Sequence, residues 1–179
     1  MADSIKIGSL DISSFKVGSD DCKVYLGDTL LYSGGTTPPT PPVFQGKWKA
    51  TYSGGTTSSA ACGASSAITR NEITLSNLVS VEIGDCVTSI DWYAFDSCAS
   101  LTSCTIGSGI TSIGYQAFVL CTNLVSMIVN ATTPPTLGNY AFYGINNFQI
   151  YVPSASVSTY QLASGWSDYA SRIQAIPNS

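Results

Sequence analysis

Val87–Gly107 reads VTSIDWYAFDSCASLTSCTIG and Ile110–Asn130 reads ITSIGYQAFVLCTNLVSMIVN, and the second lies over the first at a constant 23-residue shift (118 − 95). Phe95 returns as Phe118, Cys98 as Cys121, Leu101 as Leu124, Ile90 as Ile113, and Ile83 as Ile106 and then Val129. The stretch Leu137–Pro153, LGNYAFYGINNFQIYVP, is a third and degraded copy. Self-similarity at a fixed period means that one small unit is built several times and stacked, because a single unit cannot bury its own apolar face.

A period of roughly 20–29 residues with an L-x-x-L-x-L arrangement is the mark of a leucine-rich-repeat solenoid. Leu101, Cys104 and Ile106 supply it in one copy, Leu124, Met127 and Val129 in the next, and Leu78, Val81 and Ile83 in a leading one. The Cys104-x-Ile106 alternation demands a strand, since only a period of two keeps both side chains inward while Thr105 points out. The pattern therefore predicts one short strand per coil, joined in a parallel sheet. Irregular or helical return segments carry Val87, Ile90, Ala94, Phe95 and Cys98, then Ile110, Ile113, Ala117, Phe118 and Cys121.

With its A-F-x-x-C-x-x-L core, the run IGYQAFVLCTNLVSMIV resembles the BspA-like leucine-rich repeats of gut and oral Bacteroidetes surface proteins and of phages that infect such bacteria. The resemblance extends from about Ile73 to Ile176. It implies a right-handed solenoid and a binding or adhesive role, and it names no ligand.

Composition narrows the function classes. Of the 179 residues, 44% are hydrophobic and 10% charged, which describes a folded chain with a surface of Ser, Thr, Asn and Gly. The net charge is −4, and Ile73–Pro153 contains Glu82, Asp85, Asp91 and Asp96 but no Lys or Arg. Nucleic acid is thus a poor partner, since phosphate contacts need clustered cations. Histidine is absent, removing the commonest general base and metal ligand together. No C-x-x-C pair occurs, and neither a metal nor a cofactor is expected. Cys98, Cys104 and Cys121 follow the repeat and read as small core residues, whereas a disulfide among Cys22, Cys62 and Cys86 stays open. Asp85, Asp91 and Asp96 are candidates for a glycosidase-type carboxylate pair. They fall on different turns of one coil with no pocket implied, so a non-enzymatic protein is expected. Neither a basic n-region with an apolar core nor an apolar run of spanning length is visible, and no membrane insertion is expected.

Outward from the repeats the chain is expected to divide into five parts. Residues 1–33 read as a small all-β N-terminal module of short strands, with Asp20, Asp21 and Asp28 as turn residues rather than a calcium site. Such a module is too small to be stable alone and needs partner surface. Lys23–Ser33, KVYLGDTLLYS, resembles N-terminal modules of tail and fibre proteins of gut phages, and makes Lys23, Tyr25, Leu26, Leu31 and Tyr32 the anchoring candidates. Residues 34–42, GGTTPPTPP, read as a linker. Residues 43–72 read as the N-terminal cap of the solenoid, with Lys47–Trp48–Lys49 on an edge strand, Trp48 in the cap core and the following Ser/Ala/Gly run as loop. Arg70–Asn71–Glu72 interrupt the repeat where Phe95 and its flanks would align. Residues 73–153 hold the repeats, and 154–179 a C-terminal helical cap: Ser154 or Ser156 as N-cap, Gly165 as stop, then Trp166, Tyr169 and Ile173 on a second short helical face.

Two surfaces are candidates for function. Outward strand positions form columns: Val79, Thr102 and Val125; Ser80, Ser103 and Ser126; Glu82, Thr105 and Ile128. The turns Asp91-Trp92-Tyr93, Gly114-Tyr115-Gln116 and Gly138-Asn139-Tyr140 put aromatic residues where solvent should be. For these, ligand contact and packing against neighbouring loops or subunits both stay open. Ligand-contact candidates are Trp92, Tyr93, Tyr115, Gln116, Tyr140, Ser80, Ser103, Ser126 and Thr105. The expected role is a phage virion component (tail, fibre or head decoration), held by its N-terminal module to virion proteins and presenting its repeats to a host surface protein or glycan. The alternative is a bacterial surface or secreted adhesin that binds host protein. A homo-oligomer is compatible with either.

Overall fold

The computed structural model describes residues 44–177 in full and, as backbone, five strands between Ile5 and Ser33. The chain divides into two compact units, Met1–Val43 and Phe44–Ser179. In the first, β1 (Ile5–Ile7) pairs antiparallel with β2 (Leu10–Ile12), and β3 (Phe15–Gly18), β4 (Asp21–Leu26) and β5 (Thr29–Ser33) form an antiparallel sheet in that order. Lys23, Tyr25 and Leu26 fall on β4, and Leu31 and Tyr32 on β5. Their side chains, that of Cys22 and the linker at 34–42 lie outside the described residues.

In the second unit, β6 (Trp48–Tyr52) and β7 (Thr57–Ala60) form a hairpin, followed by β8 (Ala67–Ile68), β9 (Leu78–Ile83), β10 (Ser89–Ile90), β11 (Ser103–Ile106), β12 (Ser112–Ile113), β13 (Ser126–Val129), β14 (Thr136–Leu137) and β15 (Gln149–Val152). Helix α1 (Val157–Leu162), a 3₁₀ segment (Ser167–Arg172) and β16 (Ile173–Ala175) close the order. One sheet runs β16-β15-β13-β11-β9-β6-β7. From β9 to β16 it is parallel, and Val81, Cys104 and Met127 stand side by side, as the repeat requires. Buried residues alternate along these strands, so Cys104 and Ile106 point inward and Thr105 is only half-buried.

Each coil contributes two strands, not the single one expected. The Ser-Ile pairs of the return path, flanked by Ala67–Ile68 and Thr136–Leu137, form a second parallel sheet, β14-β12-β10-β8. Two residues are too few for a period-of-two pattern to show, but their backbone groups need partners when packed inside. The neighbouring coil supplies them: the N–H groups of Asp91, Gly114 and Gly138 donate to the carbonyls of Ile68, Ile90 and Ile113 at 2.9, 2.8 and 2.7 Å. The irregular turns pair in the same way, Phe95 N–H to Ala117 O at 2.8 Å and Phe118 N–H to Ala141 O at 2.9 Å.

The core follows the repeat. Phe95 and Phe118 stack with centroids 4.8 Å apart and planes 7° apart, and Phe142 follows Phe118 at 5.9 Å. Cys98, Cys104 and Cys121 are free and buried. Burial pushes the Cys98 thiol up to about 11 and the Cys121 thiol up to about 12, and raises Cys104 as well, so all three are inert thiols. The Cys121 thiol donates to the Phe95 carbonyl at 3.1 Å, one coil away. Cys62 and Cys86 form a disulfide, which joins the loop after β7 to the corner after β9.

Both ends of the stack depart from the expected elements. β6 is not an edge strand; it lies between β9 and β7, antiparallel to both, and the edge is β7, made from part of the Ser/Ala/Gly run. Gly54 and Gly55, at φ of 92° and 83°, make the turn that folds this run back. Glu72 stands one period before Phe95, where the ring column would continue. Its Oε1 instead accepts from the buried Lys47 Nζ at 2.7 Å and from Trp48 Nε1 at 3.1 Å, while the Thr69 N–H donates to Oε2. At the other end, Ser156 precedes α1 but its hydroxyl makes no capping bond, and the helix stops at Leu162, ahead of Gly165. Ile173 lies on a strand rather than a helical face, paired with Ile150 one period earlier. Between β12 and β14 the spacing is 24 (136 − 112). The added residue falls in the turn Ala131–Pro135, whose carbonyls at Ala131 and Pro135 accept from the buried Tyr160 hydroxyl at 2.9 Å and Trp166 Nε1 at 2.8 Å.

Two outcomes follow. Phe118→Ala empties a site shared by three coils and should lower stability by about 3–5 kcal/mol in denaturant unfolding, whereas a loss below about 1 kcal/mol would contradict the stacking. Burial pushes the Glu72 carboxyl up, but hydrogen bonds from Lys47, Thr69 and Trp48 and the Lys47 charge outweigh it, so its pKa lies below the ordinary value. Its contribution is therefore present above the unfolded value of about 4.3 and lost as the pH falls through the lower folded one. Melting temperatures measured from neutral to acid pH should fall less steeply below about pH 4.3 in Glu72→Gln than in the native chain; parallel curves would contradict the assignment.

Candidate functional site

The sheet face and the turns carry the candidate residues separately. On the sheet, Ser80, Ser103 and Ser126 form a column that Gln149 extends, and Glu82, Thr105, Ile128 and Tyr151 another. Ser80, Ser103 and Thr105 line a shallow depression of about 290 Å³ together with Lys49, Thr51 and Glu82. Ser126 does not join it. Lys49 stands opposite Glu82 in the register between β6 and β9. The hydroxyls here are short and half-buried, which leaves them little reach.

The turns are built differently. Tyr93, Gln116 and Tyr140 hold φ of 57°, 50° and 58°, in the left-handed region that bulky residues seldom occupy. At the first two the coil-to-coil bonds impose it, with Tyr93 N–H donating to Tyr115 O and Gln116 N–H to Asn139 O, both at 3.2 Å. Of these three only Tyr140 is exposed, and Tyr93 and Gln116 are half-buried. Trp92, Tyr115, Tyr140 and Tyr143 are 62, 43, 60 and 59% exposed. They are also in contact. Centroid distances run 5.9 Å from Trp92 to Tyr93, then 5.6 Å to Tyr115, 6.2 Å to Tyr140 and 5.9 Å to Tyr143, each pair edge to face. Arg70 lies over the Tyr93 ring at 5.5 Å and pairs with Asp96 at 3.8 Å. The result is a single file of five rings running from coil to coil.

Desolvation, the neighbouring Tyr115 hydroxyl and Asp96 raise the Tyr93 phenol above its ordinary value. At the C-terminal end the file opens on a groove of about 420 Å³, lined by Tyr140, Tyr143, Asn139, Asp168 and Tyr169. Tyr143 and Arg70 are members that the sequence columns did not single out. The signal for Tyr143 was an aromatic residue where Asp96 and Val119 stand in the earlier coils. Gln116, half-buried, takes no place in the file.

Of the carboxylates weighed for hydrolysis, Asp85 and Asp96 serve the coils. Asp85 Oδ1 accepts from the Ser108 N–H at 2.6 Å and its hydroxyl at 2.9 Å, and Asp96 is held by Arg70 and the Ser97 hydroxyl. Among the described residues no group of three or more His, Cys, Asp and Glu is placed to hold a metal ion, and no helix is long and apolar enough to cross a membrane.

Stacked coils of two short parallel strands each, with side chains presented along the stack, define a repeat protein whose surfaces bind or build. The BspA type leucine rich repeat region matches residues 66–164 in six copies. The chain belongs to that family, whose repeats are generally non-catalytic and have binding or structural roles. No curated protein matches the chain.

Proposed function

We propose that the protein is a non-enzymatic attachment protein of a phage particle, whose repeats meet the host cell through the aromatic file while the N-terminal unit anchors the chain in the virion. The exposed file carries this reading. Aromatic residues left in solvent and in mutual contact, with two of the five, Tyr93 and Tyr140, on backbone that disfavours them, are a surface kept for a partner. The resemblance of Lys23–Ser33 to phage tail and fibre modules supports the anchoring half, with Lys23, Tyr25, Leu26, Leu31 and Tyr32 as contacts to neighbouring virion proteins. The helical segment after β15 acts as the C-terminal cap, since it buries Tyr160 and Trp166 against the last coil. The Cys62–Cys86 disulfide suits a chain that works outside a reducing cytosol, on a particle or on a cell surface. For that reason a bacterial surface adhesin is the second reading.

The test is association of the full chain with intact Bacteroidetes cells, measured by flow cytometry, alongside its recovery from purified particles or from cell envelopes. Replacing Trp92, Tyr115 and Tyr140 together by Ala should weaken association by about tenfold or more, the range of interface hot spots, with the melting temperature unchanged. Replacing Ser80 and Ser103 by Ala should leave it as it was. Undiminished binding of the triple variant would overturn the assignment of the face, and recovery from envelopes rather than particles would favour the adhesin.

A further inference from the structure

We infer that the aromatic file is a platform for a neutral, linear polysaccharide, laid from Trp92 to Tyr143 with one sugar held in the groove between Tyr140, Tyr143, Asp168 and Tyr169. This rests on the attachment reading above and specifies its ligand. Three observations select this occupant over a polyanion or a folded protein.

The first is shape. The rings stand one abreast, and the file is continuous over three coils at 5.6–6.2 Å from one centroid to the next. A linear polymer can follow such a track along its length. A protein partner needs breadth: with rings about half exposed and about 150–250 Å² for each whole aromatic side chain, the file offers about 500 Å², short of the roughly 800 Å² per partner of a stable protein interface.

The second is charge. Between Ile73 and Pro153 there is no Lys or Arg, so a polyanion would meet only carboxylates there. Arg70, at the head of the file, is already paired with Asp96 and lies against Tyr93. Of the carboxylates in this stretch, Asp85 is engaged by Ser108 and Asp96 by Arg70 and Ser97. What faces solvent is ring surface and phenolic hydroxyl, apolar and hydrogen-bonding at once. The apolar C–H faces and hydroxyl edges of a neutral pyranose match both.

The third is preorganisation and a terminus. Edge-to-face contacts between successive rings and the left-handed backbone at Tyr93 and Tyr140 fix the side chains before a ligand arrives. Outside the repeated turns, left-handed positions fall to residues that tolerate them, Asn71, Asn77, Gly54, Gly55 and Gly165. At its end the file passes through Tyr140 and Tyr143 into a groove within the size range of small-ligand sites. There Asp168 and Asn139 add a carboxylate and an amide to the phenols, a set suited to sugar hydroxyls.

Trp92 makes the test direct, because it is 62% exposed while Trp48 and Trp166 are 8% and 0% exposed. The full chain would be titrated with soluble neutral glucan, mannan, xylan and galactan, and with anionic alginate, while tryptophan emission and mobility in polysaccharide-containing native gels are followed. At least one neutral polymer should shift the emission to the blue and retard the chain, and alginate should do neither. Trp92→Phe should abolish the shift yet keep most of the retardation. Tyr115→Ala and Asp168→Ala should each weaken binding by about tenfold at unchanged melting temperature. Absence of a response to every neutral polymer, or a response to alginate alone, would overturn the proposal. Cell binding separates it from the reading beneath it. File-dependent association that periodate treatment of the cells leaves intact and protease removes would keep attachment and reject the polysaccharide; association that ignores the file would reject both.

Discussion

Every coil of this solenoid depends on its neighbours for its backbone hydrogen bonds. The long strands pair in the ordinary parallel way, but so do two-residue strands and turns that have no regular structure of their own, through bonds such as Ser97 N–H to Val119 O and Leu120 N–H to Tyr143 O at 2.8 Å. Buried peptide groups without partners are costly, so the coil-to-coil register is fixed at nearly every turn and not only in the sheet. The same clamping holds Ser97 and Leu120, like Tyr93 and Gln116, at positive φ. Close approach is the corollary. A side chain at Gly107 or Gly138 would lie 2.6 or 2.5 Å from the backbone of the preceding coil, which only glycine avoids.

That register also generates the surface. Because the turns before the Ala-Phe pairs are bonded from coil to coil, their outward positions recur at the spacing of the coils, and the different aromatic residues that occupy them fall within edge-to-face contact. The Phe column inside and the aromatic file outside are products of the same period. The stack ends where the period is broken chemically. On one side Glu72, bonded to Lys47 and Trp48, stands at the ring position; on the other, Trp166 and Tyr169 close over Phe142 at 5.9 and 5.4 Å.

Much of this was legible in the residues. The period located Phe95, Phe118, the three buried cysteines and the sheet register, because a core position in a solenoid must recur. The candidate aromatics were legible for the opposite reason: core positions repeated while the exposed residues around Trp92, Tyr115 and Tyr140 differed. What escaped lacked a repeat or a pattern. The Ser-Ile strands are too short to alternate visibly, β7 is a strand through its partner β6 rather than through its own composition, and the Cys62–Cys86 bridge joins a non-repeating loop to the first coil. Ile173 carried the signal of another copy, one period beyond Ile150, but the helical spacing of Trp166 and Tyr169 masked it. Arg70 stands one period (93 − 70) before Tyr93, but in an interrupted first coil where a charge in place of an aromatic residue hid the column.

The central claim, that one coil-to-coil register holds the whole stack, is tested most directly by removing a coil. Deleting Asp96–Phe118, one full period, joins Phe95 to Val119 and preserves every column; deleting Ser97–Phe118 falls one short of the period and sets the next coil out of step inside a turn bonded on both sides. Denaturant unfolding with near-ultraviolet circular dichroism should show the first chain folded and cooperative, with a smaller m value in keeping with its reduced core, and the second without fixed tertiary structure. Equal behaviour of the two deletions would contradict the account.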